Sequence, residues 1–291
     1  MISLFQAFND HSLAFFVLAA ISVIVVGISK SGFGAGLGAL SLPLMASQSS
    51  IHEALAILLP LLIAIDLVGL QRFLRNADWR ILKLILLPAA FGMLLAYLFF
   101  SVITPQILSL SIGIFTLLFL VQSLVISRLD LKQSKPSPWL GKLMGGVSGF
   151  TSFIAHIGGP PITIYMLREK VLPIVYTSTL GIFFTFINFG KLVPYAYLDL
   201  LNFKQLATSI LLLPLVPVGV YFGFYLAKKI SVKWYYIIVQ FFLLIASIKL
   251  IADGIYVWSL SENHQDGEEQ AEAQGAQSVL PFEPIPTTLT F

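Results

Sequence analysis

Four ionisable residues sit inside runs of sequence that otherwise carry no charge: Lys30, Asp66, His156 and Lys191. Ionisable groups within apolar segments are costly, and they mark ion and substrate paths more often than decoration. Lys30 stands among hydroxyls and glycines in Gly27-Ile-Ser-Lys-Ser-Gly-Phe-Gly-Ala-Gly-Leu-Gly-Ala-Leu-Ser-Leu-Pro43. Glycines at this density disfavour helix, and a broken helix bares backbone N–H groups that attract anions at a half-helix N-terminus. Ser31, Gly32, Gly34, Gly36, Gly38 and Pro43 are therefore candidates for an anion site together with Lys30. The alternative for these small residues is close helix packing alone. The run lacks the GxxxxGK[ST] order of a phosphate loop, so a nucleotide site is not expected.

A second run has the same character: Gly145-Gly-Val-Ser-Gly-Phe-Thr-Ser-Phe-Ile-Ala-His-Ile-Gly-Gly-Pro-Pro161. Ser148, Gly149, Thr151, Gly158, Gly159 and Pro160 are its candidates for anion contact, and Ser152 offers a further hydroxyl. A lone histidine is commonly hydrogen-bonded structure, but His156 lies deep in an apolar segment, and an ordinary pKa of about 6.5 suits proton coupling. Asp66 precedes Trp79 by 13 residues, and Lys191, with Asn188 three positions before it, precedes Phe203 by 12. Their near-equivalent positions suggest that Asp66 and Lys191 face each other across a pseudo-twofold axis, as an ion pair or a proton site. The bland reading is that each snorkels to its nearer interface.

The elements that must position these residues follow from composition. Of 291 residues, 57% are hydrophobic and 11% charged, where a soluble domain has about 25% charged. Leu84 to Ser127 contains no Asp, Glu, Lys or Arg, which is two crossings at ~20 residues each. Soluble enzymes, nucleic-acid-binding domains and disordered chains are excluded. Apolar runs fall at 12–29, 36–47, 54–71, 84–101, 105–127, 140–156, 159–168, 172–197, 204–226 and 234–257. They predict an all-α integral membrane protein with about 8–10 transmembrane segments. The runs 36–47 and 159–168 are short, and we expect both to cross. With the N-terminus outside, thirteen of the 17 Lys and Arg residues then lie in inner loops, as the positive-inside rule requires. Residues 261–291 hold six acids and no base; this tail is expected to be disordered.

The chain also repeats itself. Ser31-Gly32-Phe33 matches Ser148-Gly149-Phe150, Pro43 matches Pro160, and Leu86-Leu87-Pro88 matches Leu212-Leu213-Pro214. Two repeats over 1–130 and 138–258, each of five segments, would be inverted relative to one another, with binding at the Gly/Pro-interrupted segments. No nucleotide motif is present, so an ion or substrate gradient is the expected energy source. With no cysteine and one deep histidine, no metal, cofactor or catalytic group is expected, and an intramembrane enzyme is disfavoured. A channel or a non-transporting partner subunit is the remaining alternative.

The runs Gly32-Phe33-Gly34-Ala35-Gly36-Leu37-Gly38 with Leu42-Pro43-Leu44, and Gly149 through Pro161, resemble the paired signatures of the sulfite exporter TauE/SafE family. Asp66 with Trp79-Arg80, and Asn188 with Lys191 and Tyr195, fit its pattern, and the resemblance spans residues 12–257. It implies a multi-pass transporter in the bacterial inner membrane that moves a small anion such as sulfite or an organosulfonate. The implied partners are that anion, lipid and a coupling proton, with no nucleic acid.

Overall fold

A computed structural model describes residues 11–33, 41–100, 102–104, 137–169 and 171–229, with isolated helical positions between 107 and 121 and between 244 and 256. All regular structure among the described residues is helical: α1 (Leu13–Ile28), a π-helical turn (Ser29–Phe33), α2 (Ser41–Ala46), α3 (Ile51–Asn76), α4 (Trp79–Phe100), α5 (Pro138–Ala155), α6 (Gly159–Arg168), α7 (Pro173–Tyr197), α8 (Phe203–Leu212) and α9 (Leu215–Lys229). Residues 34–40, which include Gly34, Gly36 and Gly38, and the acidic tail lie outside the described residues.

Four helical stretches are long and apolar enough to cross a bilayer: Leu13–Gly32, Ile51–Asn76, Trp79–Phe100 and Pro173–Tyr197. The pair α8 and α9, bent by 46°, makes a fifth if taken as one span. Side-chain placement has the sense expected in lipid. Leu87, Phe91, Leu94 and Leu98 of α4 and Phe186, Phe189, Val193 and Tyr197 of α7 recur at helical spacing and are exposed. Asp66, Lys191, Asn188, Ser148 and Thr179 are buried. An apolar exterior over a polar interior is stable only where the surroundings are hydrocarbon. The chain is an all-α integral membrane protein.

Helix starts follow ordinary capping chemistry. Ser12 Oγ accepts from Phe15 N at 3.1 Å and Ser50 Oγ accepts from Glu53 N at 3.2 Å, the latter in a Ser-x-x-Glu arrangement. Packing fixes the directions. α1 and α3 run parallel, joined at His11–Glu53 near their starts and at Lys30–Asp66 further along. α3 and α7 run antiparallel, with Phe73 beside Gly181 and Asp66 beside Asn188. α5 and α6 form a hairpin: Tyr165 lies against Gly141, and Ser148 Oγ donates to the Gly158 carbonyl at 2.5 Å.

The ten residues of α6 rise roughly 15 Å, half of a ~30 Å hydrocarbon core, and the six of α2 roughly 9 Å. Neither described helix spans the core by itself, and residues 36–40 of the first short run lie outside the described residues. Folding α6 back along α5 keeps the rest of the predicted layout, because Arg168 ends up at the same end of the bundle as the first residues of α4, α5 and α7. Arg80 Nη2 at the start of α4 meets Glu169 Oε2 at 3.0 Å there, and Asp78 N donates to Thr179 Oγ1 at 2.9 Å. We refer to this as the basic end. Trp79 and Trp139 are exposed at the same end, as an interfacial aromatic belt requires.

Two helix contacts are reciprocal across the chain. α1 lies parallel to α9, where a Cβ on Gly27 would stand 2.9 Å from the Gly219 carbonyl carbon. α5 lies parallel to α4, where a Cβ on Gly145 would stand 2.8 Å from the Ile85 carbonyl oxygen and one on Gly149 would collide with the Ala89 carbonyl. Each contact pairs a helix that enters a Gly/Pro break with a helix that holds or directly follows a Leu-Leu-Pro sequence.

Candidate functional site

The π turn is the first device that builds the site. A single wide turn at the end of α1 sends neighbouring side chains to different helices, and such turns are frequent at functional sites. Lys30 Nζ meets Asp66 Oδ1 of α3 at 2.5 Å, with 6% and 0% of the two side chains exposed. Ser31 Oγ instead reaches the Gly27 carbonyl and, at 3.0 Å, the Val220 carbonyl of α9. Lys30 also stands over the Phe184 ring, 5.6 Å from its centroid.

The second device is the α5–α6 break. α5 ends at His156, whose φ of 55° is left-handed, a conformation that non-glycine residues seldom adopt, histidine more than most. This turn swings the imidazole inward between α3 and α7. Its Nε2 lies 3.1 Å from the Leu55 carbonyl. A carbonyl only accepts, so Nε2 carries the hydrogen and Nδ1 presents a lone pair. That lone pair faces Lys191 Nζ at 2.9 Å. Pro60 removes the backbone donor that Ala56 would otherwise receive. On either side of that gap Leu55 accepts from His156, and Ile57 accepts from Ser209 Oγ at 2.9 Å.

The α3–α7 pair joins the two devices. Asn188 Nδ2 donates to Asp66 Oδ2 at 2.8 Å, and Asn188 Oδ1 accepts from Lys191 Nζ at 3.4 Å. Lys191 Nζ also donates to Ser152 Oγ at 2.9 Å, so each of its three N–H bonds meets an acceptor. The result is one continuous buried chain: Lys30, Asp66, Asn188, Lys191, His156 and the Leu55 carbonyl. Next to His156, Tyr195 Oη donates to the Phe153 carbonyl at 2.6 Å. Phe153 in turn stacks edge-on with Phe100 and Tyr195 at 5.8 and 5.2 Å, which fills the side away from the basic end.

Asp66 and Lys191 were expected to oppose each other directly. Their side chains instead share Asn188, and the ion partner of Asp66 is Lys30. The reason is reach: α1 and α3 run parallel, and the π turn brings Lys30 level with Asp66. Neither charge snorkels; both are fully buried. Ser31, Ser148 and Thr151 spend their hydroxyls on backbone carbonyls, Thr151 on Val147 at 2.9 Å. Gly149 serves the α4–α5 contact. Pro43 is buried in α2. Gly158, Gly159 and Pro160 are buried at the start of α6, where a Cβ on Gly158 would lie 2.7 Å from Ser152 Cβ and 3.0 Å from Phe184 Cε1.

A cavity of about 20 Å³ lies at the centre of the cluster, lined by Lys30, Ser152, His156, Asn188, Phe184, Val26 and Leu62. It has room for about one water and is too small for a four-atom oxyanion. Sequence reasoning missed Phe184 and the Leu55 carbonyl, and gave Ser152 less weight than Ser148. Among the described residues no group of three or more His, Cys, Asp or Glu could hold a metal ion.

These features define a class: a multi-pass α-helical membrane protein with a wired, buried charge cluster where two broken helices meet. The sequence model of the sulfite exporter TauE/SafE family matches residues 19–250, about four-fifths of the chain. The chain belongs to that family, which is one of membrane transporters of the sulfite-exporter type. No curated protein and no solved structure matches it.

Proposed function

We propose that the chain is a secondary transporter rather than an enzyme, carrying a small anion, sulfite or an organosulfonate, across the bacterial inner membrane. The observation that carries this reading is the charge of the buried cluster. With all three groups charged, Lys30 and Lys191 outnumber Asp66 by one, and such a buried ammonium loses its charge unless an anion matches it. A monovalent oxyanion entering beside Ser152, His156 and Asn188 supplies the missing charge and takes the place of one of the neutral acceptors now facing the Lys191 ammonium. The start of α6 adds the backbone N–H groups of Gly158 and Gly159 and the positive end of its dipole.

We read residues 1–130 and 138–258 as inverted repeats and the basic end as cytoplasmic. The reciprocal α1–α9 and α4–α5 contacts support this, since an inverted repeat places equivalent partners in such crossed pairs. The small central cavity fits an occluded state, and alternating access rocks the two halves about the breaks. Asp66, His156 and Lys191 are the candidates for a coupling proton, with Asn188 holding Asp66 and Lys191 in register.

The test is uptake and counterflow in proteoliposomes with sulfite, sulfate, sulfoacetate and taurine, with and without a pH gradient. Saturable counterflow of one of these anions, lost in Lys191→Met, is the expected result. A steady unitary current would make the protein a channel. Failure of every anion to bind or move would overturn the anion reading.

A further inference from the structure

A second cavity, of about 250 Å³, opens at the basic end and belongs to none of the residues assigned to the central cluster except Ser31 and Gly32. Arg72, Phe73, Thr177 and Ser178 complete the part of its lining that bears on chemistry. One observation points to a ligand, and a second supplies its charge. The Ser178 hydroxyl is fully buried and has no hydrogen-bond partner, which native interiors avoid unless something else satisfies the group. The Arg72 guanidinium has no carboxylate within ion-pair distance among the described residues. It lies 4.5 Å from the Phe224 ring centroid of α9, which holds its planar fork against the cavity. Lys30 lines the central cavity and Ser31 with Gly32 lines this one, so the π turn borders both spaces.

We propose that this cavity is a staging site for a small oxyanion at the basic end of the path, with Arg72 as its charged anchor and Ser178 as a second donor. A guanidinium binds sulfonate, sulfite or sulfate oxygens in a bidentate manner. The volume admits such an ion where the central cavity does not. The ion waits against the π turn until the central cluster opens to receive it. This rests on the anion-carrier reading for its purpose but not for its chemistry.

The experiment is equilibrium binding of labelled sulfate and of methanesulfonate to the full-length, delipidated protein. Wild type is expected to bind two anions per chain. Arg72→Gln raises the dissociation constant of one site by at least about tenfold, as expected for loss of a charged partner, and Ser178→Ala by a smaller factor. Arg72→Lys keeps part of the affinity. Lys191→Met removes the other site only. Arg72 is solvent-exposed, so an unchanged melting temperature in Arg72→Gln separates lost binding from lost folding. A single site indifferent to Arg72→Gln, in protein that still performs counterflow, overturns the staging site and leaves the carrier intact. Arg72-dependent sulfate binding in protein without counterflow supports the site and overturns the carrier. If sulfate and methanesulfonate do not bind but phosphatidylglycerol does, in an Arg72-dependent way, the cavity holds a lipid headgroup and the staging role is refuted.

Discussion

Asp66→Asn removes the single carboxylate of a cluster that holds two lysines. At the 2.5 Å Lys30–Asp66 separation and an effective dielectric of about 20, the attraction is roughly 7 kcal/mol. Part of it is offset by the desolvation both groups have already undergone, and breaking such a pair at one end costs about 3–5 kcal/mol. Lys30→Met leaves Asp66 buried with Asn188 as its remaining donor, and the expected loss is of the same size. The informative variant is the double substitution. With both charges gone, the introduced amide pairs with Asn188 and the introduced thioether chain fills the lysine's volume beside Phe184. The combined cost then falls within about 1 kcal/mol of wild type, because replacing a whole buried pair is often neutral. Reversible unfolding in mixed micelles, followed by far-ultraviolet circular dichroism, gives all three values. A coupling energy near that of either single variant is the expected result. Additive losses would refute the pairing of Lys30 with Asp66 and with it the layout of the cluster.

Asn188→Leu strips a donor from Asp66 and an acceptor from Lys191 while keeping the volume, and is expected to cost about 2–4 kcal/mol, read in the same micelle titration. Gly158→Ala forces Ser152 and Phe184 apart, so we expect a loss of about 1–3 kcal/mol together with weaker anion binding. Gly149→Ala, which strikes the Ala89 backbone instead, is expected to lower stability by a similar amount with the dissociation constant of the correctly folded fraction unchanged. Glu169→Gln breaks the Arg80 contact at 3.0 Å, but Arg80 is 72% exposed, so thermal unfolding should register less than about 1 kcal/mol.

Membership of the buried cluster was legible in the sequence because charge inside an apolar run is conspicuous: Lys30, Asp66, His156, Lys191 and Asn188 all converge. The wiring was not. That Lys30 rather than Lys191 holds Asp66 depends on the parallel register of α1 and α3 and on a π turn, and neither has a residue signature. The Leu55 carbonyl is a backbone group, invisible to any search by side chain. Gly149 and Gly158 look alike in the sequence; one faces a neighbouring helix and the other faces Ser152. The short runs were read as crossings from the charge bias, and a returning arm of ten residues satisfies the same bias at half the length. Arg72 stood out only as one base among several in an inner loop, and its cavity depends on Phe224, about 150 residues later in the chain.

The crossed pairing of α1 with α9 and of α4 with α5 bears on how the protein is made. Gly27 meets Gly219, so the groove on α1 stays uncovered while roughly 190 further residues are translated, about 10–40 s at ordinary elongation rates. Lys30 is made long before that partner, but Asp66 follows it closely, so its counter-charge is available well before α9. The α5–α6 hairpin needs no such wait, since α4 precedes it. The order of synthesis is thus asymmetric where the two contacts are reciprocal: α1 is made first, and α9, made late, is the helix that covers its glycine face.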